Sequence, residues 1–165
     1  PTMEPNANCH EQCKPVLAIP PGADGGAGDY VSLANYDRCA VILTVDNGTT
    51  VTAGAVTLKQ ATAVAGTGEK ALAFSRMRAN VDTGASDALV ETAVTSNTFN
   101  TDGTNDKNQL YVIDVKATDL DIENGFDCMR VDVAAAINNA VVGAVYVLWP
   151  VRHRTGGQGP SAVGD

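Results

Sequence analysis

Apolar and polar side chains alternate along much of this chain, which is the pattern of half-buried strands. The clearest runs cover residues 39–46, 110–117 and 128–133. Residues 141–149 are apolar at both phases, as expected of a strand covered on both faces, and Pro150 follows them. We therefore predict several short strands separated by turns.

A hairpin is predicted after the first of these runs. In residues 51–60, Val56 and Leu58 point to one side and Thr57 and Lys59 to the other. The pair Asn47-Gly48, which tolerates positive φ, separates them from the strand at residues 39–46. We therefore expect the two segments to be neighbours in one sheet.

Two further segments fit more than one period. Residues 70–77 are compatible with a short strand or with two helical turns. Residues 81–100 fit both periods as well, with Ser86 as a candidate helix cap. The Thr and Asn content of this second segment favours a strand.

The composition agrees with the strand pattern, because Val and Thr are abundant whereas Leu, Glu, Lys and Arg are few. We predict a mainly β chain: a single antiparallel β-sandwich or jelly-roll-like barrel with an extended N-terminal arm. Residues 1–35 hold five of the seven Pro and are assigned to the arm. Residues 36–154 are assigned to the sandwich and residues 155–165 to a flexible C-terminal tail.

Length and charge exclude several classes of function. The chain has 165 residues, which fits one domain, and a net charge of −8 from 11 Lys and Arg against 19 Asp and Glu. So few cations cannot supply many phosphate contacts, and nucleic acid is not expected as a partner. The longest apolar run, residues 141–151, is about half as long as a helical membrane span, so no membrane crossing is predicted. The N-terminus lacks the pattern of a secretory signal, which indicates cytosolic synthesis or earlier processing.

The sequence contains no arrangement typical of catalysis. His153 lies between Arg152 and Arg154, and two neighbouring cations disfavour its protonation, so a solvated basic tip is preferred. The acidic residues within 119–127 could hold a hard cation, but they lack the spacing of an EF-hand, and a solvated loop is preferred. The Gly pairs lack the spacing of phosphate-binding loops. We expect no enzyme, no catalytic residue and no cofactor.

One local cluster has the character of a metal site. Cys9, His10 and Cys13 could supply three of the four ligands of a tetrahedral zinc ion, but no fourth ligand is nearby. A disulfide involving Cys9 or Cys13 is an alternative, and plain thiols without metal are the favoured interpretation. Cys39 and Cys128 lie in predicted strands, where we expect them to pack in the core.

Five short segments carry a family resemblance. They are Thr57-Leu58-Lys59-Gln60-Ala61, Lys70-Ala71-Leu72-Ala73-Phe74, Leu110-Tyr111-Val112-Ile113-Asp114-Val115, Asn124-Gly125-Phe126-Asp127-Cys128, and Ala144-Val145-Tyr146-Val147-Leu148-Trp149-Pro150 before Arg152-His153. In these segments the block from Val41 to His153 resembles the capsid decoration (cement) proteins of tailed bacteriophages. That family consists of small proteins encoded with the head genes.

The resemblance implies a structural virion protein. Such a protein is a β-rich domain that binds the outer surface of the assembled shell, often as a homotrimer, and stabilises the shell against internal DNA pressure. Its partner is the major capsid protein, and its location is the outer capsid surface after synthesis in the host cytoplasm. The resemblance implies neither catalysis nor a cofactor, and an acidic surface suits the outside of a DNA-filled shell.

The candidate partner contacts lie in the arm and near the last predicted strand. They are Pro15, Val16, Leu17, Ile19 and Pro20 in the arm, and Trp149, Arg152 and Arg154. Prolines preorganise an extended chain, which can add to a sheet edge or lie in a groove of a partner. A strand of the chain's own domain is the alternative for the arm segment.

Two other classes of function compete with the structural one. A head-fibre or receptor- or glycan-binding module fits the same β composition and acidic surface. A metal-assisted hydrolase would use Cys9, His10 and Cys13, or the acidic residues within 119–127. The capsid decoration role is the preferred hypothesis.

Overall fold

The fold is a β-sandwich of two antiparallel sheets. The structure is a computed structural model, and it describes residues 8–23, 25–48, 52–104, 108–134, 140–151 and 159–164. Sheet A consists of β1 (Lys14–Ala23), β4 (Tyr36–Asp46), β7 (Arg76–Asn80), β8 (Val90–Ala93), β10 (Asn108–Lys116) and β12 (Val141–Val151). Sheet B consists of β2 (Gly26–Ala27), β3 (Val31–Ser32), β5 (Ala55–Ala61), β6 (Lys70–Ala71), β9 (Thr98–Asn100) and β11 (Cys128–Val133). The predicted mainly β sandwich is confirmed.

Strands distant in sequence are neighbours in both sheets. The order in sheet A is β1-β12-β4-β10-β7-β8, so β4 is hydrogen-bonded to β12 on one side and to β10 on the other. In sheet B, β11 lies beside β5 along its whole length. Apart from one α-helix, α1 (Cys9–Gln12), the helical elements of the described residues are two 3-10 turns, Ala117–Asp119 and Ile122–Asn124. None of these helices is long enough to cross a membrane.

The core lies between the inward faces of the two sheets, and a buried tyrosine, Tyr146, connects them. Tyr36, Tyr111 and Tyr146 are its largest fully buried side chains. The Tyr146 Oη on β12 accepts a hydrogen bond from the Val131 backbone N–H on β11 at 2.8 Å, and it donates to the Asp29 carbonyl at 3.0 Å. Because a buried hydroxyl is costly without a partner, these bonds favour one arrangement of the two sheets.

The predicted hairpin between residues 39–46 and 51–60 is wrong. The two segments do form strands, β4 and β5, but these strands belong to opposite sheets. The apolar side chains of β4 occupy both phases, with Ala40 and Ile42 alternating with buried Val41 and Leu43. Such a strand suits the middle of a sheet. Both sides of β4 are already hydrogen-bonded, one to β12 and the other to β10. The chain after β4 therefore continues in the other sheet.

Both ambiguous segments contain strands. Residues 81–100 include β8 and β9, in agreement with the strand preference. Residues 70–77 include β6 and the beginning of β7. The described residues of both segments contain no helix. The runs predicted at 110–117, 128–133 and 141–149 correspond to β10, β11 and β12.

The predicted N-terminal arm of residues 1–35 requires a correction over its described part. Strand β1 pairs with β12 at the edge of sheet A, and β2 and β3 pair with β11. Ile19 is 3% exposed in the core. An edge strand tolerates Pro because its outer N–H groups need no partner, so this Pro-rich segment folds into the sandwich. This is the alternative that the sequence left open.

The predicted flexible tail of residues 155–165 also requires a correction over residues 159–164. Ala162 is 1% exposed, and its carbonyl accepts a hydrogen bond from the Ser32 N–H at 2.8 Å. The Tyr36 hydroxyl donates to the Pro160 carbonyl at 2.5 Å. A buried apolar side chain and these two bonds hold this segment against the sandwich despite its Gly content.

Candidate functional site

The outward side of sheet A carries a continuous row of apolar side chains. Cross-strand register places Leu17 of β1 beside Val145 of β12, Val145 beside Ile42 of β4, and Ile42 beside Val112 of β10. Side chains paired in this way point to the same side of a sheet and lie about 5 Å apart. Four neighbouring strands therefore present one apolar band to the outside.

Two further rows flank this band. Toward one end, Pro15 and Val147 are cross-strand partners, and Val147 is in turn opposite Ala40. One step further, Arg38 of β4 is opposite both Trp149 of β12 and Lys116 of β10. We call the outward surface formed by these three rows the open face. Its residues are Pro15, Leu17, Arg38, Ala40, Ile42, Val112, Asp114, Lys116, Val145, Val147 and Trp149.

Solvent reaches most residues of the open face, but Ala40 in its middle row is buried. Leu17 is 52% exposed, and Ile42, Val112 and Val145 are each partly exposed. Isolated exposed apolar residues are ordinary on a protein surface, but a contiguous apolar patch is typical of an interaction site.

A cleft with several cations adjoins the open face. The cleft has a volume of about 800 Å³. Arg38, Arg76, Arg78 and Lys116 line it, which is four of the chain's 11 Lys and Arg, together with the carboxylates Glu91, Asp114 and Asp119. Arg78 lies 3.6 Å and Arg76 lies 3.7 Å from Glu91. The cleft therefore holds four cations and three carboxylates, in a chain whose net charge is −8.

The outward side of sheet B is different, because its charged side chains pair with one another. Lys59 of β5 is 2.7 Å from Glu69 and 3.1 Å from Asp132. Arg130 of β11 is 2.9 Å from Glu69 and 3.0 Å from Asp132. Lys59 and Arg130 are direct cross-strand partners, so the two carboxylates offset a like-charge contact. We call these four side chains the sheet B network.

Tyr30 completes the sheet B network. Its hydroxyl donates to Glu69 at 2.7 Å, and the Arg130 guanidinium lies 5.0 Å from the centre of its ring. The hydrogen bonds from Lys59 and Tyr30 hold the pKa of Glu69 below its ordinary value. Burial, followed by the bond to Glu69, raises the pKa of Tyr30. The charges on this side of the fold therefore have partners within the chain.

The structure places the predicted contact residues in three different environments. Pro15, Leu17 and Trp149 meet on the open face, although 132 positions separate Leu17 from Trp149 in the sequence. Val16 is partly buried and packs against the core, and Ile19 lies within the core. Pro20 is exposed. The remaining two, Arg152 and Arg154, lie outside the described residues, as does His153.

Sequence reasoning missed most of the open face. Ile42, Val112 and Val145 were counted only as members of alternating or fully apolar strands, and Arg38 and Arg78 were not singled out. The signal was present in β4 and β12, where both phases are apolar. For residues 141–149 the sequence predicts cover on both faces, whereas Val145, Val147 and Trp149 of β12 are partly exposed.

The predicted metal-type clusters do not assemble a metal site in the described residues. Asp121 of the acidic turn pairs with Lys70 and accepts from Asn124 at 2.9 Å, and the bond from Lys70 lowers its pKa. Lys70 also lies 3.9 Å from the centre of the Phe126 ring. These contacts describe a structured turn joined to β6.

The four cysteines are also placed by the structure. Cys39 and Cys128 are 0% and 1% exposed, which confirms that they pack in the core. Cys9 is exposed and Cys13 is buried, with their Sγ atoms 2.9 Å apart. Burial, together with the adjacent Cys9, raises the pKa of Cys13 to about 11.

Comparison with known proteins finds no sequence relative, since no family model and no curated protein matches this chain. Among solved structures, the chain is similar to a crystal structure of the SPBc2 prophage-derived protein YomS. The TM-score is 0.44 at 9% sequence identity, and the match covers 83% of this chain and 93% of that chain. The neighbour is prophage-derived, and likeness at this level carries no inference about the activity of this chain.

Proposed function

We propose that this chain is a structural virion protein that binds the outer surface of a phage capsid and stabilises the shell. The observation that carries the proposal is the open face, an apolar band across four strands that is accessible to a partner. The resemblance of the block from Val41 to His153 to capsid decoration proteins supplies the identity of the partner, the major capsid protein. The role is non-enzymatic.

The open face suits a partner with an apolar patch and an acidic rim. Leu17 and Val145 would contribute to apolar burial, which is worth about 25 cal/mol per Å². Arg38, Arg78 and Lys116 at the border would meet carboxylates of the partner. The rest of this acidic chain, which has a net charge of −8 in total, would face away from the shell.

Repeated copies reduce the affinity that each open face must supply. Many copies on a symmetric shell act together, and an oligomer of this chain, a homotrimer in the resembled family, would multiply the contacts per bound unit. A face of moderate size is therefore sufficient for a stable coat. The proposed location is accordingly the outer capsid surface.

The test is binding of the purified chain to DNA-free heads that lack it, measured by co-sedimentation. The chain should saturate a fixed number of sites per head, and Leu17→Asp should weaken binding by at least about tenfold, since a charge would enter an apolar contact. Val163→Asp is the matched control. Val163 is 55% exposed, close to the 52% of Leu17. It follows Ala162, which is hydrogen-bonded to β3 of sheet B, and it is not part of the open face.

Several results would contradict the proposal. One is an absence of saturable binding to heads at any concentration that keeps the chain monodisperse. Another is equal weakening by Leu17→Asp and Val163→Asp, because the open face would then have no special part in binding. Binding to host cells or to glycans, without binding to heads, would instead favour the head-fibre or receptor-binding role.

A further inference from the structure

Cys9 and Cys13 are held side by side at the N-terminal end of β1. The Cys13 backbone N–H donates to the Cys9 carbonyl at 2.9 Å, which is the bond of one α-helical turn. Residues four apart in such a turn have Cα atoms about 6 Å apart, since each residue rises about 1.5 Å. Disulfides bridge Cα separations of about 4.4 to 6.8 Å. The backbone here is therefore compatible with a bond between the two side chains.

The two sulfur atoms are already in contact. Their Sγ atoms are 2.9 Å apart, and the S–S bond of a disulfide is about 2.05 Å long, so a shift of less than about 1 Å would form it. The Cys13 thiol also donates to the Cys9 carbonyl at 3.0 Å. That bond holds the Cys13 side chain in the rotamer that faces Cys9.

The two thiols differ in access, and this difference sets the order of reaction. Cys9 is exposed, whereas Cys13 is 2% exposed. A reagent in solution therefore meets Cys9 first. Once Cys9 has reacted, the Cys13 sulfur is the thiol placed to attack it, and burial shields Cys13 from larger reagents.

We propose that Cys9 and Cys13 form an intramolecular disulfide when a small-molecule disulfide such as oxidised glutathione is present. The Cys9 thiolate attacks one sulfur of the reagent, forms a mixed disulfide and releases one thiol. Cys13 then loses its proton to solvent, attacks the Cys9 sulfur and releases the second thiol. Two cysteine thiols lose two electrons in all, and the reagent's disulfide gains them and becomes two thiols.

The bond would fix the turn that precedes the edge strand β1. Helix α1 packs against both β1 and β12. Closing residues 9–13 covalently would hold the beginning of β1 in place, next to Pro15 of the open face. None of the residues of the open face takes part in the bond, so this proposal does not depend on the proposed capsid role.

The experiment uses the full chain, reduced and then incubated under native conditions with oxidised glutathione. After acid quenching, the chain is denatured, alkylated and cleaved with trypsin. The segment up to Arg38 contains Cys9 and Cys13 and no other cysteine, so the peptide ending there reports on this pair alone. We expect that peptide to carry no alkyl group and to be lighter than its reduced form by two hydrogen masses.

Two variants make the result specific. Cys9→Ser should abolish closure and leave Cys13 open to alkylation after denaturation. Cys39→Ala is the matched control, because it removes another buried thiol and should leave closure unchanged. The proposal is overturned if the peptide carries two alkyl groups after oxidation, if Cys9 remains as a glutathione adduct, or if Cys9 links two chains.

Discussion

The two outward faces of this sandwich differ in the side chains that they present to solvent. On sheet B, four ion pairs of 2.7 to 3.1 Å join the cations Lys59 and Arg130 to the carboxylates Glu69 and Asp132. On sheet A, the corresponding surface is an apolar band bordered by cations. One face is complete within the chain, and the other is suited to a partner.

Under the proposed function, this difference separates the residues that stabilise the fold from those that bind a partner. Ion pairs on sheet B hold β5, β11 and the turn that carries Glu69 together, and they face water without exposing apolar area. The apolar side chains on sheet A make few contacts that the fold itself requires, because the core lies on the other side of the sheet. Substitutions on the two faces should therefore have separable effects.

The largest expected effect is on the open face. Val145→Asp should weaken binding to DNA-free heads by about ten- to a hundredfold, because a charge would enter the centre of the apolar contact. Some loss of thermal stability is also expected, because Val145 is partly buried between Leu17 and Ile42, so binding is compared at a temperature at which the variant is folded. Co-sedimentation and thermal unfolding of the same preparation measure the two quantities. Val163→Asp, at an exposed position outside both sheets, is the control for a new surface carboxylate.

A loss of stability without loss of binding is expected from the sheet B network. Arg130→Met removes the ion pairs with Glu69 and Asp132 and the contact with the Tyr30 ring. Two partly buried carboxylates would then share Lys59 alone, so the free energy of unfolding should fall by about 1–2 kcal/mol. Chemical denaturation measures this change. If Arg130→Met weakened head binding as strongly as Val145→Asp, the proposed separation of the two faces would be wrong.

Local pattern was sufficient to predict most strands but not their neighbours. Alternation at residues 110–117 and 128–133 identified β10 and β11 because one face of each is in the core. The hairpin prediction failed because a turn pair such as Asn47-Gly48 is compatible with a reversal within a sheet and with a crossing to the other sheet. Pairing of β4 with β10 and β12 depends on side chains far away in sequence, which local periodicity does not contain.

The open face could be predicted only in part for a related reason. Apolar residues on both sides of β12 indicate that both sides of the strand are buried. The sequence pattern is the same whether this chain or a partner chain buries them. The Pro-rich segment gave a similar ambiguity. Leu17 was a candidate contact from its sequence, whereas its position beside Val145 follows only from the pairing of β1 with β12.

A smaller effect should appear in the pH dependence of stability. The pKa of Glu69 is held low in the folded chain, so this group stabilises the fold above its unfolded pKa of about 4.3, and the contribution is lost as the pH falls through the folded value. Glu69→Gln should therefore reduce the fall in the free energy of unfolding between about pH 5 and about pH 3. Denaturation across that range measures it. Glu123→Gln removes a carboxylate from an exposed turn and is the control; an equal slope for wild type and Glu69→Gln would contradict the assigned role.

The smallest expected effect concerns the border of the open face. Arg78 is exposed and lies opposite Val112 of the apolar band, so it should steer an acidic partner more than it holds one. Arg78→Glu should lower the association rate with heads a few-fold at low salt, and the difference should shrink as added salt screens the charges. Surface-immobilised heads and a salt series measure both. Lys59→Glu is the charge-matched control on sheet B, and it should leave the association rate unchanged while lowering stability. An Arg78→Glu effect that is independent of salt would mean that the arginine contributes through packing rather than through its charge.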